Sequence, residues 1–185
     1  MIPKINNMEQ IKVHDKNFKV FISQEEIESR IKKMAEKMNE ELAGKTPLFL
    51  GILNGSFMFA AELFKHLEFD CSISFLKLAS YQGTSTSGTI KQLIGLNENI
   101  TGRTVVIIED IIDTGITMDN IIKQLKGFNP EQILISCLLL KPEAYNNCYP
   151  VDYCCFEIPN DFIVGYGLDY NGFGRNLKHI YKIVK

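Results

Sequence analysis

One stretch of the chain places residues that could bind a phosphorylated ligand directly after a buried strand. The β-branched run at residues 105–108 is typical of a strand buried on both faces of a parallel sheet, and Glu109 and Asp110 stand where it should end. A turn over residues 113–117 follows and leads into a helical pattern. A turn with free N–H groups beside a helix N-terminus binds phosphate, and carboxylates suit sugar hydroxyls or a magnesium ion. The stretch therefore predicts a site for a phosphorylated sugar held with Mg²⁺.

The ordinary alternative for this stretch is a buried strand followed by a polar turn. Three acids, one glycine and two threonines within nine residues favour the functional interpretation. The pattern is neither a P-loop nor a dinucleotide fingerprint, because G-x-x-x-x-G-K-[ST] and G-x-G-x-x-G are both absent.

Three further segments put polar residues at predicted strand ends: Asn54 with Gly55, Lys141, and residues 162–175. In an open α/β sheet the carboxyl ends of the strands form the ligand crevice. If the sugar carried pyrophosphate as a leaving group, a cation such as Arg175 would stabilise the negative charge that develops on it. A nucleobase that attacked the sugar would need a general base to accept its proton, and we select Asp113 for that role. Each residue also has a structural interpretation: Lys141 as a solvated strand end, Phe162 as core, Asp169 as a loop cap, and Arg175 as a surface ion pair.

The elements that must position these residues alternate between strands and helices. Ser23 and Glu26 form a capping box that begins a helix ending near Gly44. Predicted strands cover residues 18–22, 48–53, 71–79, 90–96, 105 onward, 132–140, 153–158, 162–168 and an edge strand at 180–184, and further helices cover 57–67 and 118–128 with Phe128 buried. This order predicts an α/β fold with a central parallel-rich sheet flanked by helices, and the late strands predict a small antiparallel lobe.

Residues 80–89 are rich in small hydroxyl side chains and glycine. They lack the apolar content to pack, so they predict either a disordered hairpin tip or a lid that closes over the site. Tyr81 favours the lid.

The bulk composition excludes several classes of function. A chain of 185 residues with 45% hydrophobic content fits one domain spanning residues 1–185. A net charge of −2 argues against nucleic-acid binding as the main task. No apolar span of membrane length and no signal peptide is evident, and five cysteines without a C-x-x-C pair fit a reducing cytoplasm rather than a disulfide framework or a zinc site.

Two motifs resemble a known family. The run Glu109, Asp110, Ile111, Ile112, Asp113, Thr114, Gly115 is similar to the phosphoribosyl-pyrophosphate signature of type I phosphoribosyltransferases. The tail from Phe162 through Asp169 to Arg175 resembles, within that superfamily, the hypoxanthine-guanine phosphoribosyltransferases. With Asn54 and Gly55, Ser80 and Tyr81, and Lys141 in the same order, the resemblance spans nearly the whole chain after about residue 20.

The resemblance implies a reaction and a role for each matched residue. The implied reaction transfers the 5-phosphoribosyl group from phosphoribosyl pyrophosphate to a 6-oxopurine, hypoxanthine or guanine, in purine salvage. The implied fold is type I phosphoribosyltransferase-like, with a hood lobe formed by the N-terminus and residues 150–175. Glu109 and Asp110 would hold the ribose hydroxyls and a magnesium ion. The 5′-phosphate would bind Asp113, Thr114, Gly115, Ile116 and Thr117; the purine would meet Lys141, Phe162, Ile163 and Asp169; pyrophosphate would meet Asn54, Gly55 and Arg175; and Ser80 and Tyr81 would form the lid.

The resemblance implies that Asp113 acts as the base at N7 and that Asp169 holds a second magnesium ion. Lys141 would donate to the 6-oxo oxygen, Phe162 would stack on the ring, and Ile163 would contact it through the backbone. The family assembles as dimers or tetramers, so the same is expected here.

The chain departs from the family at Asn54, where relatives often carry a basic residue in a loop with a non-proline cis peptide. Two alternatives remain at this stage. One is a xanthine phosphoribosyltransferase; the other is a nucleotide-sensing regulator that binds RNA, which the slightly acidic composition disfavours.

Overall fold

The computed structural model describes residues 10–81, 90–94, 96–146 and 149–184, with only the backbone described at 78–81 and 90–94. Its elements, in chain order, are β1 (Gln10–Val13), β2 (Lys16–Ile22), α1 (Gln24–Leu42), β3 (Leu48–Leu53), α2 (Phe57–Phe64), β4 (Ser72–Tyr81), β5 (Ile90–Ile94), β6 (Thr104–Ile112), α3 (Ile116–Lys126), β7 (Gln132–Leu140), β8 (Tyr153–Glu157), β9 (Ile163–Val164) and β10 (Ile180–Ile183). None of these three helices combines the length and apolar character that crossing a bilayer requires.

The large sheet has six strands in the order β5-β4-β3-β6-β7-β8. The five strands from β4 to β8 in that order are parallel, and β5 pairs antiparallel with β4 at the edge. Parallel strands need helical crossovers, which cover both faces of the sheet and make the central strands apolar throughout. The predicted fold class is confirmed.

Two apolar cores lie on opposite faces of the large sheet. On one face α1 and α2 pack against residues such as Phe49, and on the other α3 packs against residues such as Leu50. The α1 helix begins as predicted, because the Ser23 hydroxyl accepts from Glu26 N–H and the Glu26 carboxylate accepts from Ser23 N–H. With both faces covered, the exposed carboxyl ends of the strands are left for ligands.

A second sheet of four antiparallel strands, in the order β1-β2-β10-β9, forms the hood. Its small core contains Val13, Phe18, Val164 and Tyr181. The backbone N–H of Gln24 donates to Nδ1 of His179 at 2.8 Å, which ties the end of the hood to the start of α1. The prediction that residues 180–184 form an edge strand was wrong, because β10 lies between β2 and β9 and pairs with both. The hood is built from both ends of the described chain.

Several boundaries differ from the sequence prediction. The strand β8, within the range predicted for the hood, pairs with β7 in the large sheet. The strand β6 continues past Glu109 and Asp110 to Ile112, and α2 ends at Phe64 rather than at 67. Phe128 is 51% exposed rather than buried, since α3 ends at Lys126 and leaves it in the following turn. That residues 1–185 form one domain stays a prediction.

Candidate active site

Two adjacent carboxylates on β6 lie in contrasting surroundings. Glu109 is buried, and its Oε2 atom has no hydrogen-bond partner among the described residues. Burial raises the pKa of Glu109 well above its usual value, and the neighbouring charge of Asp110 raises it further. Asp110 is half-buried, and its Oδ1 accepts from Ile111 N–H at 3.0 Å. A buried acceptor without a donor is costly, so a ligand supplying hydroxyl donors or a cation would relieve it.

The turn after β6 and the first turn of α3 enclose a cleft of about 260 Å³. Its lining consists of Glu109, Ile111, Ile112, Asp113, Thr114, Gly115, Thr117 and Met118. Gly115 adopts a φ of +83°, and a Cβ there would meet the ring of Tyr145 at 2.5 Å, so only glycine fits. Because the first N–H groups of a helix lack intrahelical partners, this cleft beside the start of α3 is suited to an anion.

Asp113 and Lys141, which lie far apart in the sequence, form an ion pair at the end of the large sheet. Lys141 Nζ donates to Asp113 Oδ2 at 2.9 Å, and Lys141 N–H donates to the carbonyl of Ile112 at 2.9 Å. The lysine is 8% exposed, whereas the Asp113 side chain is 47% exposed. The alternative of Lys141 as a solvated strand end was therefore wrong. The pair puts a cationic donor and a carboxylate acceptor side by side at the cleft.

The turn after β3 is held between Asp110 and a loop of the hood. The Leu53–Asn54 peptide bond is cis and non-proline. A Cβ added to Gly55 would overlap the Asp110 carboxylate, and one added to Gly167 would overlap the carbonyl oxygen of Gly55. Both approaches need glycine, since any larger residue would push the backbones apart. The turn with Asn54 and Gly55 is thus fixed against the β6 acids.

Arg175 and Asp169 join this cluster from the hood. Arg175 Nη1 donates to the carbonyl of Gly167 at 2.6 Å, and Arg175 Nη2 lies 2.5 Å from Asp169 Oδ1. Asp169 Oδ2 also accepts from Gly172 N–H at 2.7 Å. Arg175 is therefore not a free surface residue. Because Arg175 bonds to Gly167 and Gly167 contacts Gly55, the arginine lies near the turn after β3.

Phe162 precedes β9 and presents an aromatic surface on the hood. It is 44% exposed, and its ring packs edge-on against Tyr170 with 5.5 Å between the centroids. Lys16 Nζ lies 5.5 Å from the Phe162 centroid and 4.8 Å from the Tyr170 centroid. The next residue, Ile163, is buried and pairs with Lys182 of β10.

The predicted residues thus fall into two clusters and a separate aromatic ring. The first is the cleft with Glu109, residues 113–117 and Lys141; the second joins Asn54, Gly55, Asp110, Asp169 and Arg175; the ring is Phe162. Ser80 and Tyr81 lie at the end of β4, where only the backbone is described, and the predicted lid residues 82–89 lie outside the described residues. The sequence analysis assigned no role to Gly167, Tyr145 or Lys16; for Gly167, the alternating glycines at 165 and 167 were a signal.

Comparison with known proteins identifies the family. A family model described as phosphoribosyl transferase domain matches residues 23–171, and the chain belongs to the phosphoribosyltransferase family. Its relatives include hypoxanthine-guanine phosphoribosyltransferases of Streptococcus pneumoniae and Streptococcus agalactiae, each 42% identical over 163 residues, 88% of this chain and 91% of the relative. Within the family, the chain groups with these hypoxanthine-guanine phosphoribosyltransferases, as the sequence motifs predicted.

Solved structures give the same result. A hypoxanthine-guanine phosphoribosyltransferase from Bacillus anthracis superposes with a TM-score of 0.80 at 32% identity, over 95% of this chain and 99% of that one. A hypoxanthine phosphoribosyltransferase from Staphylococcus aureus superposes with a TM-score of 0.79 at 34% identity, over 89% and 90% of the two chains.

Proposed function

We propose that the chain transfers the 5-phosphoribosyl group of phosphoribosyl pyrophosphate to N9 of hypoxanthine or guanine in purine salvage, giving IMP or GMP and pyrophosphate. The observation that carries this proposal is the Asp113–Lys141 pair, with its 2.9 Å separation, at the cleft beside the start of α3. Family membership alone leaves the base open, whereas a paired acceptor and donor match the N7–H and 6-oxo edge of a 6-oxopurine.

The phosphoribosyl group would occupy the cleft. Its 5′-phosphate would bind the N–H groups and hydroxyls of the turn, supplied by Asp113, Thr114, Gly115, Ile116 and Thr117. Its ribose hydroxyls would donate to Glu109 and Asp110. The unpartnered Oε2 atom of Glu109 supports this assignment, because it is an acceptor within reach of the cleft that no described protein group satisfies.

The purine would lie between the Asp113–Lys141 pair and the exposed ring of Phe162. Lys141 would donate to the 6-oxo oxygen, and Asp113 would take the N7 proton as general base. Adenine would meet this lysine with an amino group, so donor would face donor and binding would be lost. Ile163 would contact the far edge of the ring through its backbone, and Asp169 would also meet the purine.

The carboxylates would also hold Mg²⁺. Oxygen ligands are what this ion prefers, and the buried, unpartnered Glu109 oxygen with Asp110 beside it fits such a role. Asp169 would serve a second ion. No cluster of three or more His, Cys, Asp or Glu able to hold a metal occurs among the described residues, so the remaining ligands would come from substrate oxygens and water. When bound, the ions neutralise charge on the leaving pyrophosphate, alongside Arg175 and the backbone of Asn54 and Gly55.

Three further properties complete the proposal. Ser80 and Tyr81 would belong to a lid that excludes water from the activated sugar. The chain would act as a homodimer or homotetramer, because Leu53, Ile73 and Phe75 are more than a third exposed and lie on one face of β3 and β4. The four described cysteines are free thiols, which supports a cytoplasmic location.

The deciding experiment is a spectrophotometric assay with phosphoribosyl pyrophosphate, Mg²⁺ and each of hypoxanthine, guanine, xanthine, adenine and uracil. We expect turnover of hypoxanthine or guanine that EDTA abolishes, with adenine and uracil inert. Turnover of adenine, or none of any base, would overturn the proposal. Xanthine turnover alone would establish the alternative base, for which one structural neighbour, described as a hypoxanthine-guanine-xanthine phosphoribosyltransferase, is a precedent at 32% identity.

A further inference from the structure

Two cysteines lie directly opposite one another on neighbouring parallel strands. Cys137 of β7 pairs in register with Cys154 of β8. In-register residues of adjacent parallel strands point to the same face of the sheet, so both thiols lie on the same side. Adjacent strands lie about 4.8 Å apart, which is within the range of about 4.4–6.8 Å between Cα atoms that a disulfide spans. The register and the spacing of the strands therefore place the two Cα atoms within the range that a disulfide spans.

The two thiols differ in exposure, and they occupy facing register positions. Cys137 is fully buried, whereas Cys154 is exposed at the outer strand of the sheet. The neighbouring Cys137 thiol lowers the pKa of Cys154, whose own thiol donates to the carbonyl of Phe156 at 3.4 Å. An exposed sulfur with increased thiolate character is the one that oxidants reach, and a buried thiol on the facing position of the next strand is placed to resolve the product.

We propose that Cys137 and Cys154 form a peroxide-sensitive dithiol that closes to a disulfide between β7 and β8. The Cys154 thiolate attacks one oxygen of a hydroperoxide and becomes a sulfenic acid, while the other oxygen leaves as hydroxide or alkoxide. The Cys137 sulfur then attacks the Cys154 sulfur, the S–OH bond breaks, and water leaves with the proton of the Cys137 thiol. The dithiol loses two electrons in total, and the peroxide gains them.

The neighbouring cysteine makes no comparable pair. Cys155 is buried in the core on the other face of the sheet, because successive residues of a strand point to opposite faces. Burial raises its pKa, so it remains a protonated thiol. Cys71 is only partly buried, but it lies before β4, on the far side of the sheet from β8 in the strand order. It provides a matched control.

The test is peptide mass spectrometry of the full chain, first reduced, then treated with hydrogen peroxide, alkylated and digested without reductant. We expect a cross-linked pair of peptides joining Cys137 to Cys154, lacking two hydrogen atoms and released by dithiothreitol. Cys71→Ser should leave the cross-link unchanged. Cys154→Ala should abolish it, and Cys137→Ser should leave a sulfenic acid at Cys154 that dimedone captures.

Two results would overturn the proposal. One is oxidation of Cys154 in the unmodified chain to sulfinic acid without the cross-link; the other is a disulfide joining Cys154 to any other cysteine. The mass spectrum of the unsubstituted chain tests the proposal even if substitution of the buried Cys137 impairs folding. This measurement requires no enzymatic activity.

Discussion

At the scale of single residues, the carboxylate of Asp113 is the group on which the proposed chemistry depends. Replacing Asp113 with Asn removes the proton acceptor while keeping the shape of the side chain. General bases contribute roughly 10²–10⁴-fold to rate, so we expect kcat to fall within that range. Circular dichroism and binding of phosphoribosyl pyrophosphate should stay unchanged. An Asp113→Asn protein with full turnover would mean that another group accepts the purine proton.

In the proposed function, Lys141 governs which base is bound. In Lys141→Ala, the charge-assisted hydrogen bond to the 6-oxo group is lost, which corresponds to about 1.5–3 kcal/mol and a rise in purine KM of about tenfold or more. Adenine should also inhibit better, because the opposing donor is gone. Steady-state kinetics with hypoxanthine, and adenine as competitor, measure both effects. An unaltered KM and unaltered rejection of adenine would leave Lys141 as only the ion-pair partner of Asp113.

Glu109 makes the stability of the ligand-free protein depend on pH. Its pKa is raised in the folded protein by burial and by Asp110, so the folded state holds this proton more tightly than the unfolded chain does. The stabilisation is present below the unfolded pKa and is lost as pH rises through the folded pKa. We therefore expect Glu109→Gln, which stays neutral, to have a higher melting temperature than the unmodified protein at neutral pH, with the difference shrinking toward pH 4. Thermal unfolding in EDTA across this pH range measures it; a constant difference would contradict the assignment.

At the scale of elements, the turn after β3 is constrained by glycine contacts on two sides. A methyl group at Gly55 would overlap the Asp110 carboxylate, so Gly55→Ala should displace either the turn or the acid. We expect overpacking to cost about 1–3 kcal/mol of unfolding free energy and KM for phosphoribosyl pyrophosphate to rise several-fold. Gly127→Ala is the matched control, since Gly127 has an ordinary helical φ of −63°. Urea unfolding and kinetics on both variants test the expectation; equal behaviour would contradict it.

The bounds of an element could be predicted where the local sequence determines them, but not where pairing with another strand determines them. The bounds of β3 and β7 were predicted correctly, because each is a continuous apolar run between polar flanks. The end of β6 was not, because pairing with β7 continues to Ile112 through two charged residues. Residues 162–168 were predicted as one strand, but positive φ at Gly165, Tyr166 and Gly167 turns the chain after Val164.

The sequence predicts the candidate site as a set of residues but not as an arrangement. Motif spacing identified Asp113 and Lys141 separately, and their ion pair arises only because β6 and β7 are neighbours. The contact between Gly167 and Gly55 joins the hood to the large sheet through backbone atoms, and no pattern of side chains reports such an approach.

At the scale of the whole molecule, the apolar face formed by Leu53, Ile73 and Phe75 bears on assembly. If a second copy covers this face, Ile73→Lys should bury an unpaired charge there and weaken association by at least about tenfold. Phe128→Lys is the control, because Phe128 is 51% exposed after α3, the helix on the opposite face of the sheet. Light scattering coupled to size exclusion measures the mass of each. Equal masses for Ile73→Lys and the unmodified chain would exclude this face as the interface.

The strand order of the hood also has a consequence for synthesis on the ribosome. The strand β2 is made before every strand of the large sheet, yet its partner β10 is made after all of them, and β9 joins the hood only by pairing with β10. Until β10 emerges, one edge of β2 has no strand to pair with, which is the condition in which a nascent chain is most exposed to wrong association. The large sheet needs nothing beyond β8. The nascent chain can therefore complete the large sheet, with the proposed phosphate-binding cleft, before β10 emerges, whereas the hood, with the ring of Phe162 that is proposed to meet the purine, is assembled only afterwards.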